Sequence, residues 1–254
     1  MSELERAIAF EEGLRRQAVD EVVPFRFGEA LLTPSLPHVW DLNVVRVLDA
    51  TPSAKEVAAE AERIQGGAGL AHRRVVTDDD ALLRGFQELG WETTRYVFMA
   101  HRGGSNRKVP GIAVQEVERD VLLPLREALV RESPWGDDDE TVSQILAAQT
   151  RVAKAGRARH FVVLVDGEGA SAAELYSDGR TAQVEDVITL TSHRNRGYAT
   201  AVILHAVEAA LAAGHDFVFL IADAEDWPKE LYARLGFEAI GHTAAFQRRP
   251  TAAT

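Results

Sequence analysis

Arg194-Asn195-Arg196-Gly197-Tyr198-Ala199 is the part of this sequence best equipped to hold a ligand. It lies between an apolar run that reads as a strand and an alanine-rich run that reads as a long helix, so it falls at a helix start. The first-turn N–H groups of a helix have no internal acceptors, and the helix dipole places about half a positive charge there. Gly197 lets the backbone approach a ligand closely, and Ala199 keeps the next approach small. Arg194 and Arg196 add guanidinium donors that suit phosphate oxygens. The segment is therefore an anion site. Its spacing differs from GxxxxGK[ST] and it has no Walker lysine, which argues against a nucleoside triphosphatase and for a ligand bearing a diphosphate. A basic helix start with a sterically required glycine accounts for the same residues without a ligand.

That segment needs elements on both sides to position it. Turn formers and three cations crowd His101–Gly111 (HRGGSNRKVPG) without apolar periodicity, which marks a linker. We expect an N-terminal unit over 1–104, a linker over 105–110 and a second unit over 111–250, each unit large enough for a core. In the second unit, Ile112–Val117 reads as a short strand. Arg119–Arg131 reads as a helix with Val121, Leu122, Leu125, Leu129 and Val130 on one face. Thr141–Ala155 is a further helix, capped by Asp139 or Thr141. Asp166-Gly167 supplies the turn of a hairpin that begins with Phe161–Val165. Gln183–Leu190 is a strand, and Gly197–Ala213 a long helix stopped by Gly214. Phe217–Ala222 is another strand. Trp227–Leu235 is the last helix, with Asp226 as N-cap, Pro228 in its first turn and Gly236 at its end. Early antiparallel hairpins followed by a late βαβ crossover make an α+β chain.

The first unit repeats part of this pattern. FQELGWE (Phe86–Glu92) matches YARLGFE (Tyr232–Glu238) at an offset of 146. At an offset of 145, Val57 and Ala61 overlay Val202 and Ala206, Gly69 falls on Gly214, and Val76–Asp79 lies over Ile221–Ala224. Common order and near-constant offset indicate an ancient duplication.

RNRGYA resembles the R/Q-x-x-G-x-G/A loop of the GNAT superfamily of acetyl-CoA-dependent N-acetyltransferases. DWPKELYARLGFEAIG resembles that family's final helix and strand, with its LY-x-x-LGF signature. The resemblance runs over about Gly111–Gln247. It implies the GNAT fold, a mixed and mostly antiparallel central sheet flanked by helices. It implies acetyl-CoA as co-substrate, with its pyrophosphate on Arg194, Asn195, Arg196, Gly197, Tyr198 and Ala199, extending to Thr200. The strand through Val187, Ile188 and Thr189 would pair with the pantetheine arm and aim N–H groups at the thioester oxygen, where they stabilise developing negative charge. Tyr232 stands at the family's tyrosine position and would protonate the departing thiolate. A phenol of pKa about 10 gives its proton to a thiolate of about 8.5 only slightly uphill. Many members use an acid on the strand before the loop as general base. Glu185 aligns with it and Asp186 is its neighbour. Adjacent strand residues point to opposite faces, so at most one is well placed. His160 and His193 read as structural or solvated.

Some features narrow or depart from the family pattern. Glu225-Asp226-Trp227 stands where the family often has an asparagine that binds the pantetheine arm. The chain has no cysteine, which excludes an acetyl-cysteine intermediate and leaves direct transfer in a ternary complex. Ser133–Glu140 occupies the connection that lines the family's acceptor site. It carries four consecutive acids near Trp135, which could hold a cationic amine, but a solvated loop with acids capping a helix is the preferred account because charge runs are usually solvated. In the repeat, the loop becomes Asp49-Ala50-Thr51-Pro52-Ser53-Ala54, where an aspartate replaces the first arginine and a proline replaces the glycine. Tyr232 becomes Phe86, which has no proton to give. The first unit is thus expected to be a degenerate, partial GNAT-like repeat with one clear strand in Phe25–Leu36. Packing, covering the acceptor cleft, or contact in a homodimer are its expected roles.

The composition bounds the partners. With 28 basic and 39 acidic side chains the net charge is −11, which argues against nucleic acid. No stretch approaches the roughly 20 apolar residues that cross a bilayer, and the first ten residues have no secretory character, so a cytoplasmic protein is expected. No cysteine ligands exist for zinc or iron–sulfur clusters, and no metal site is expected. The expected function is acetyl transfer to a primary amine of a small molecule or peptide. The alternative is a non-catalytic acyl-CoA-binding or regulatory module.

Overall fold

Asp166 and Gly167 both take positive φ, 53° and 86°, which is the backbone of a tight hairpin turn whose twist matches that of its strands. They join β7 (Arg159–Val165) to β8 (Glu168–Ser177), the centre of the second half of the chain. The computed structural model describes residues 1–48, 52–103 and 111–250. The predicted linker 105–110 lies outside the described residues, as do Asp49, Ala50 and Thr51 of the degenerate loop.

The first half contains α1 (Glu3–Ala18), β1 (Glu21–Phe25), β2 (Gly28–Leu32), β3 (Val44–Val47), α2 (Ala54–Gly67), β4 (Arg73–Thr77), α3 (Ala81–Glu88) and β5 (Glu92–His101). The second half adds β6 (Gln115–Val117), α4 (Arg119–Arg131), α5 (Asp139–Ala155), β7 and β8, then β9 (Thr181–Thr189), α6 (Tyr198–Ala212), β10 (Phe217–Asp223), α7 (Pro228–Arg234) and β11 (Phe237–Arg248). The one strand expected in Phe25–Leu36 is in fact the second arm of a hairpin, β1–β2. Pro24 sits in β1 at the sheet edge, where a missing N–H is tolerated.

All eleven strands form one sheet, in the order β1-β2-β3-β4-β11-β5-β10-β9-β8-β7-β6. Only β3–β4 and β9–β10 are parallel, and each pair is bridged by a helix, α2 or α6. The centre of the sheet is an exchange. β5 lies between β11 and β10, and β11 lies between β4 and β5. Each half thus receives the other half's last strand. The cores follow suit: Ala244 and Phe246 of β11 pack in the first half's core with Val57, Phe86 and Trp91, whereas Met99 of β5 packs in the second half's core. Cutting either strand out would expose apolar surface in both halves.

The duplication is visible in the backbone. Gly69 and Gly214 end α2 and α6 at φ 76° and 86°, and Gly90 and Gly236 end α3 and α7 at 74° and 90°. These are left-handed helix-end positions that glycine fills without strain. Helices α2, α3, α6 and α7 cover one face of the sheet, and α1, α4 and α5 cover the other. The first half has no counterpart of the α4–α5 pair between its strands, so it is a partial copy.

Candidate active site

β9 and β10 pair only from Phe217–Thr181 to Phe219–Gln183, and then splay apart. The splay leaves a slot of about 240 Å³ lined by Val184–Ile188, Leu220, Ile221 and Tyr232. Its geometry follows from a bulge. Against β8, Glu174 faces Glu185 but Ala172 faces Ile188, so β9 carries one extra residue, and Asp186 takes φ 49°. The bulge defeats the strand-alternation argument. Glu185 and Asp186, expected on opposite faces, both line the same large cavity of about 910 Å³. That cavity lies on the α1, α4 and α5 side of the sheet.

The two acids are held differently. Asp186 is fixed by the guanidinium of Arg126 at 2.9 Å. Arg126, 1% exposed, also lies 2.5 Å from the fully buried Glu174. Glu174 in turn accepts from the Tyr176 hydroxyl at 2.7 Å and lies 3.0 Å from His160 Nδ1. His160 is thus packed beside a buried acid. Burial pushes the Asp186 carboxyl up despite Arg126 beside it. Glu185 has no ion pair among the described residues and accepts one hydrogen bond from Gln183 Nε2. Burial, then the charge of Asp186, pushes its carboxyl up to about 8. Glu185 is the group in the site poised to exchange a proton near neutral pH.

Tyr232 lines the slot from α7, half-buried, with its ring against Phe237 at 6.3 Å. Burial, then the charges of Glu185 and Asp226, pushes its hydroxyl up to about 12. The expected capping role of Asp226 is not what the structure holds. Trp227, in αR conformation and without a side-chain cap, starts α7, and Asp226 accepts only from the Trp227 N–H at 2.7 Å. The nearby helix α5 is likewise capped one residue earlier than expected, by Asp138, whose side chain accepts from Glu140 N.

At the outer end of the slot, Val187, Ile188 and Thr189 lead through a single 3₁₀ turn to the loop. Asn195 and Gly197 adopt φ 62° and 81°, which turns the chain sharply into α6. Ala201 N–H, donating to Gly197 O at 3.0 Å, opens the helical ladder, so the N–H groups of Tyr198, Ala199 and Thr200 precede it and have no intrahelical acceptor. Arg194 and Arg196 are exposed and form no ion pair among the described residues. Their guanidinium groups make only long contacts, to Thr189 O at 3.5 Å and Ser192 O at 3.4 Å. Unpaired donors at a sharp helix start, beside an open slot, fit a diphosphate followed by an extended arm. His193 sits in the preceding turn.

The repeat has lost all of this. Phe86, at the position of Tyr232, is fully buried and stacked on Phe246 at 4.3 Å. The start of α2 is closed by a capping box in which Ser53 and Glu56 satisfy each other's backbone. The first half instead builds the wall of the cavity, with Arg15 of α1, Trp40, Asp41 and Arg74. Sequence reasoning missed these, and missed Arg126. A signal for Arg126 was present: it lies on the same helical stripe as Leu122, Leu125 and Leu129, where a lone charge implies a buried partner. Of the acids at 137–140, Asp138 caps α5 and Asp139 is bound to Arg131 at 2.6 Å. Trp135 does line the cavity.

The sheet is mixed, with β9 and β10 splayed apart, a bulge at the splay and a sharp helix-start loop after it, an α+β arrangement. Residues 122–237 match the Acetyltransferase (GNAT) family. That match gives the second half of the chain a domain of this family. Among solved structures it is similar to a functionally unknown conserved protein from Staphylococcus epidermidis, at 14% identity and TM-score 0.70, covering 92% of this chain and 96% of that one. A GCN5-related N-acetyltransferase from Kribbella flavida aligns at 20% identity and TM-score 0.67, covering 98% and 95%. A tandem GNAT protein from the clavulanic acid biosynthesis pathway aligns at 13% and 0.53, covering 79% and 70%. At these identities the likeness is one of fold. No curated protein matches the chain. Among the described residues, no helix is long and apolar enough to cross a membrane, and no cluster of three acidic or histidine side chains could hold a metal ion.

Proposed function

We propose that the chain transfers the acetyl group of acetyl-CoA directly to a primary amine, both substrates being bound together. The observation that carries this reading is the placement of Glu185 and Tyr232. Glu185 faces the large cavity, Tyr232 faces the slot, and both border the same splay of β9 from β10. Acetyl-CoA supplies an activated acyl group and a thiol leaving group. Arg194, Arg196 and the free N–H groups at the start of α6 bind its diphosphate, and the open edge of β9 over Val187–Thr189 aligns the arm.

Glu185 takes the proton of the ammonium, and the freed amine attacks the thioester carbon. A C–N bond forms, the C–S bond breaks, the thiolate takes the Tyr232 proton, and the second proton of the attacking nitrogen passes to the tyrosinate, which restores Tyr232 and leaves a neutral amide. The two proton steps assist each other. The Glu185 charge is one cause of the raised Tyr232 pKa, so once Glu185 is protonated Tyr232 becomes a stronger acid. Asp186, pinned by Arg126, keeps the bulge in place.

Initial rates of thiol release measured against both substrates test this. Direct transfer gives intersecting double-reciprocal lines. Parallel lines would mean an acetylated enzyme and refute the reading.

A further inference from the structure

The charges around the cavity constrain the acceptor. Four arginines line it, and each faces an acid: Arg15 with Glu11, Arg74 with Asp41 at 2.8 Å, Arg126 with Asp186 at 2.9 Å, and Arg249 with Glu92 at 2.9 Å. Arg15 also donates to Asp41 O at 2.9 Å, and Arg74 to Gln247 Oε1 at 2.8 Å, so the charge of each is already matched, although Arg74 Nε and Arg126 Nε have no hydrogen-bond partner. The aromatic wall is similarly committed. Trp40 is stacked on His72 at 4.7 Å and has the Arg249 guanidinium 5.6 Å from its ring, so its faces are occupied. His38 is bonded to Thr141 Oγ1 at 2.6 Å. His72 is buried and held neutral, its pKa pushed down to about 4. Among the described lining residues, the one acid without an ion pair is Glu185, which feels the charge of Arg15 only at longer range. Leu14, Val39, Leu129, Ile145, Val152 and Ile188 give the wall an apolar stretch, beside the uncharged polar side chains of Ser133, Gln149 and Gln183.

We propose that the acceptor is a primary amine with a single positive charge and an apolar body. Its ammonium meets Glu185, and its body lies against the apolar wall that the first half of the chain and α5 build together. A second ammonium would find no acid that is not already paired, and a carboxylate would find no arginine without an acid already beside it. Either extra charge would be desolvated without compensation. This inference rests on the transferase reading for its catalytic meaning, although the site it describes binds amines whether or not transfer follows.

The test is calorimetric binding to the full chain saturated with coenzyme A, using phenethylamine, phenylalanine and putrescine as probes. Thiol release from acetyl-CoA is measured in parallel with the same three. Phenethylamine should bind at least ~10-fold more tightly than either of the others, in keeping with an uncompensated charge costing more than ~1.4 kcal/mol. Glu185→Gln should remove most of its affinity. Phenylalanine or putrescine binding as tightly as phenethylamine would overturn the proposal, and so would binding of none of the three. The parallel assay separates the two readings. Selective binding of phenethylamine without thiol release keeps the acceptor site and refutes transfer. Release driven best by putrescine or phenylalanine keeps transfer and refutes the acceptor class.

Discussion

Replacing Glu185 with glutamine should stabilise the protein, and by an amount that depends on pH. Glutamine keeps the shape of the side chain but cannot ionise. In the unfolded chain the Glu185 carboxyl has its ordinary value of 4.5, whereas in the folded chain burial holds it at about 8. The sign follows. Below pH 4.5 the acid is neutral in both states and its burial costs nothing through ionisation. As pH rises from 4.5 to about 8 the unfolded state gives up its proton first, and folded stability falls. Above about 8 the full cost is present. At about 1.36 kcal/mol per pH unit this span has a ceiling of about 5 kcal/mol. The side chain is only partly buried and lines an open cavity, so about 2 kcal/mol is the expected size, equivalent to a melting shift of about 4–8 °C for a chain this long. Urea unfolding of both proteins at about pH 5 and about pH 9 measures it. Near-equal stabilities at the lower pH and a more stable variant at the higher are expected. A difference that is the same at both pH values, or a less stable variant at about pH 9, would refute the claim that Glu185 is a desolvated, unpaired acid.

The other outcomes concern its neighbours. Tyr232→Phe should cut amine-dependent thiol release about 100-fold while leaving the dissociation constant for acetyl-CoA unchanged, because it removes only the proton. Equal turnover would return Tyr232 to a packing role. Arg194→Glu should abolish the thermal stabilisation that acetyl-CoA gives, read by differential scanning fluorimetry, and an unchanged shift would remove the loop from the diphosphate. Arg126→Met should cost about 3–5 kcal/mol in chemical unfolding, since Glu174 and Asp186 would lose their shared cation inside the protein. A cost near zero would mean that those acids are hydrated.

The local features of the second half were legible because they rest on short-range physics. Gly197 and Gly214 bracket α6, Asp166-Gly167 makes the hairpin, and the arginines of the loop stand where a helix begins. The repeat was legible from Leu89-Gly90 and Leu235-Gly236, because the same helix end demands the same residue in both copies. The bulge at Asp186 was not. Nothing in QVEDVITL marks which residue will be extra, since the partner strand decides that. The exchange of β5 and β11 was equally hidden, because each strand is compatible with pairing inside its own half, and the choice depends on the whole sheet. The acceptor cavity was hidden for the same reason. Arg15, Asp41 and Arg74 come from a unit without a ligand-binding loop of its own, and only folding sets them opposite Glu185.

The most direct test of the account is to quench a reaction of the protein with acetyl-CoA and the amine probes, and to quantify free thiol and acetylated amine in the same sample. The account predicts equal amounts of the two, increasing together with time, and no more than slow background thiol release when the amine is omitted. Thiol formed without acetylated amine, or no amine-dependent formation of either, would contradict it.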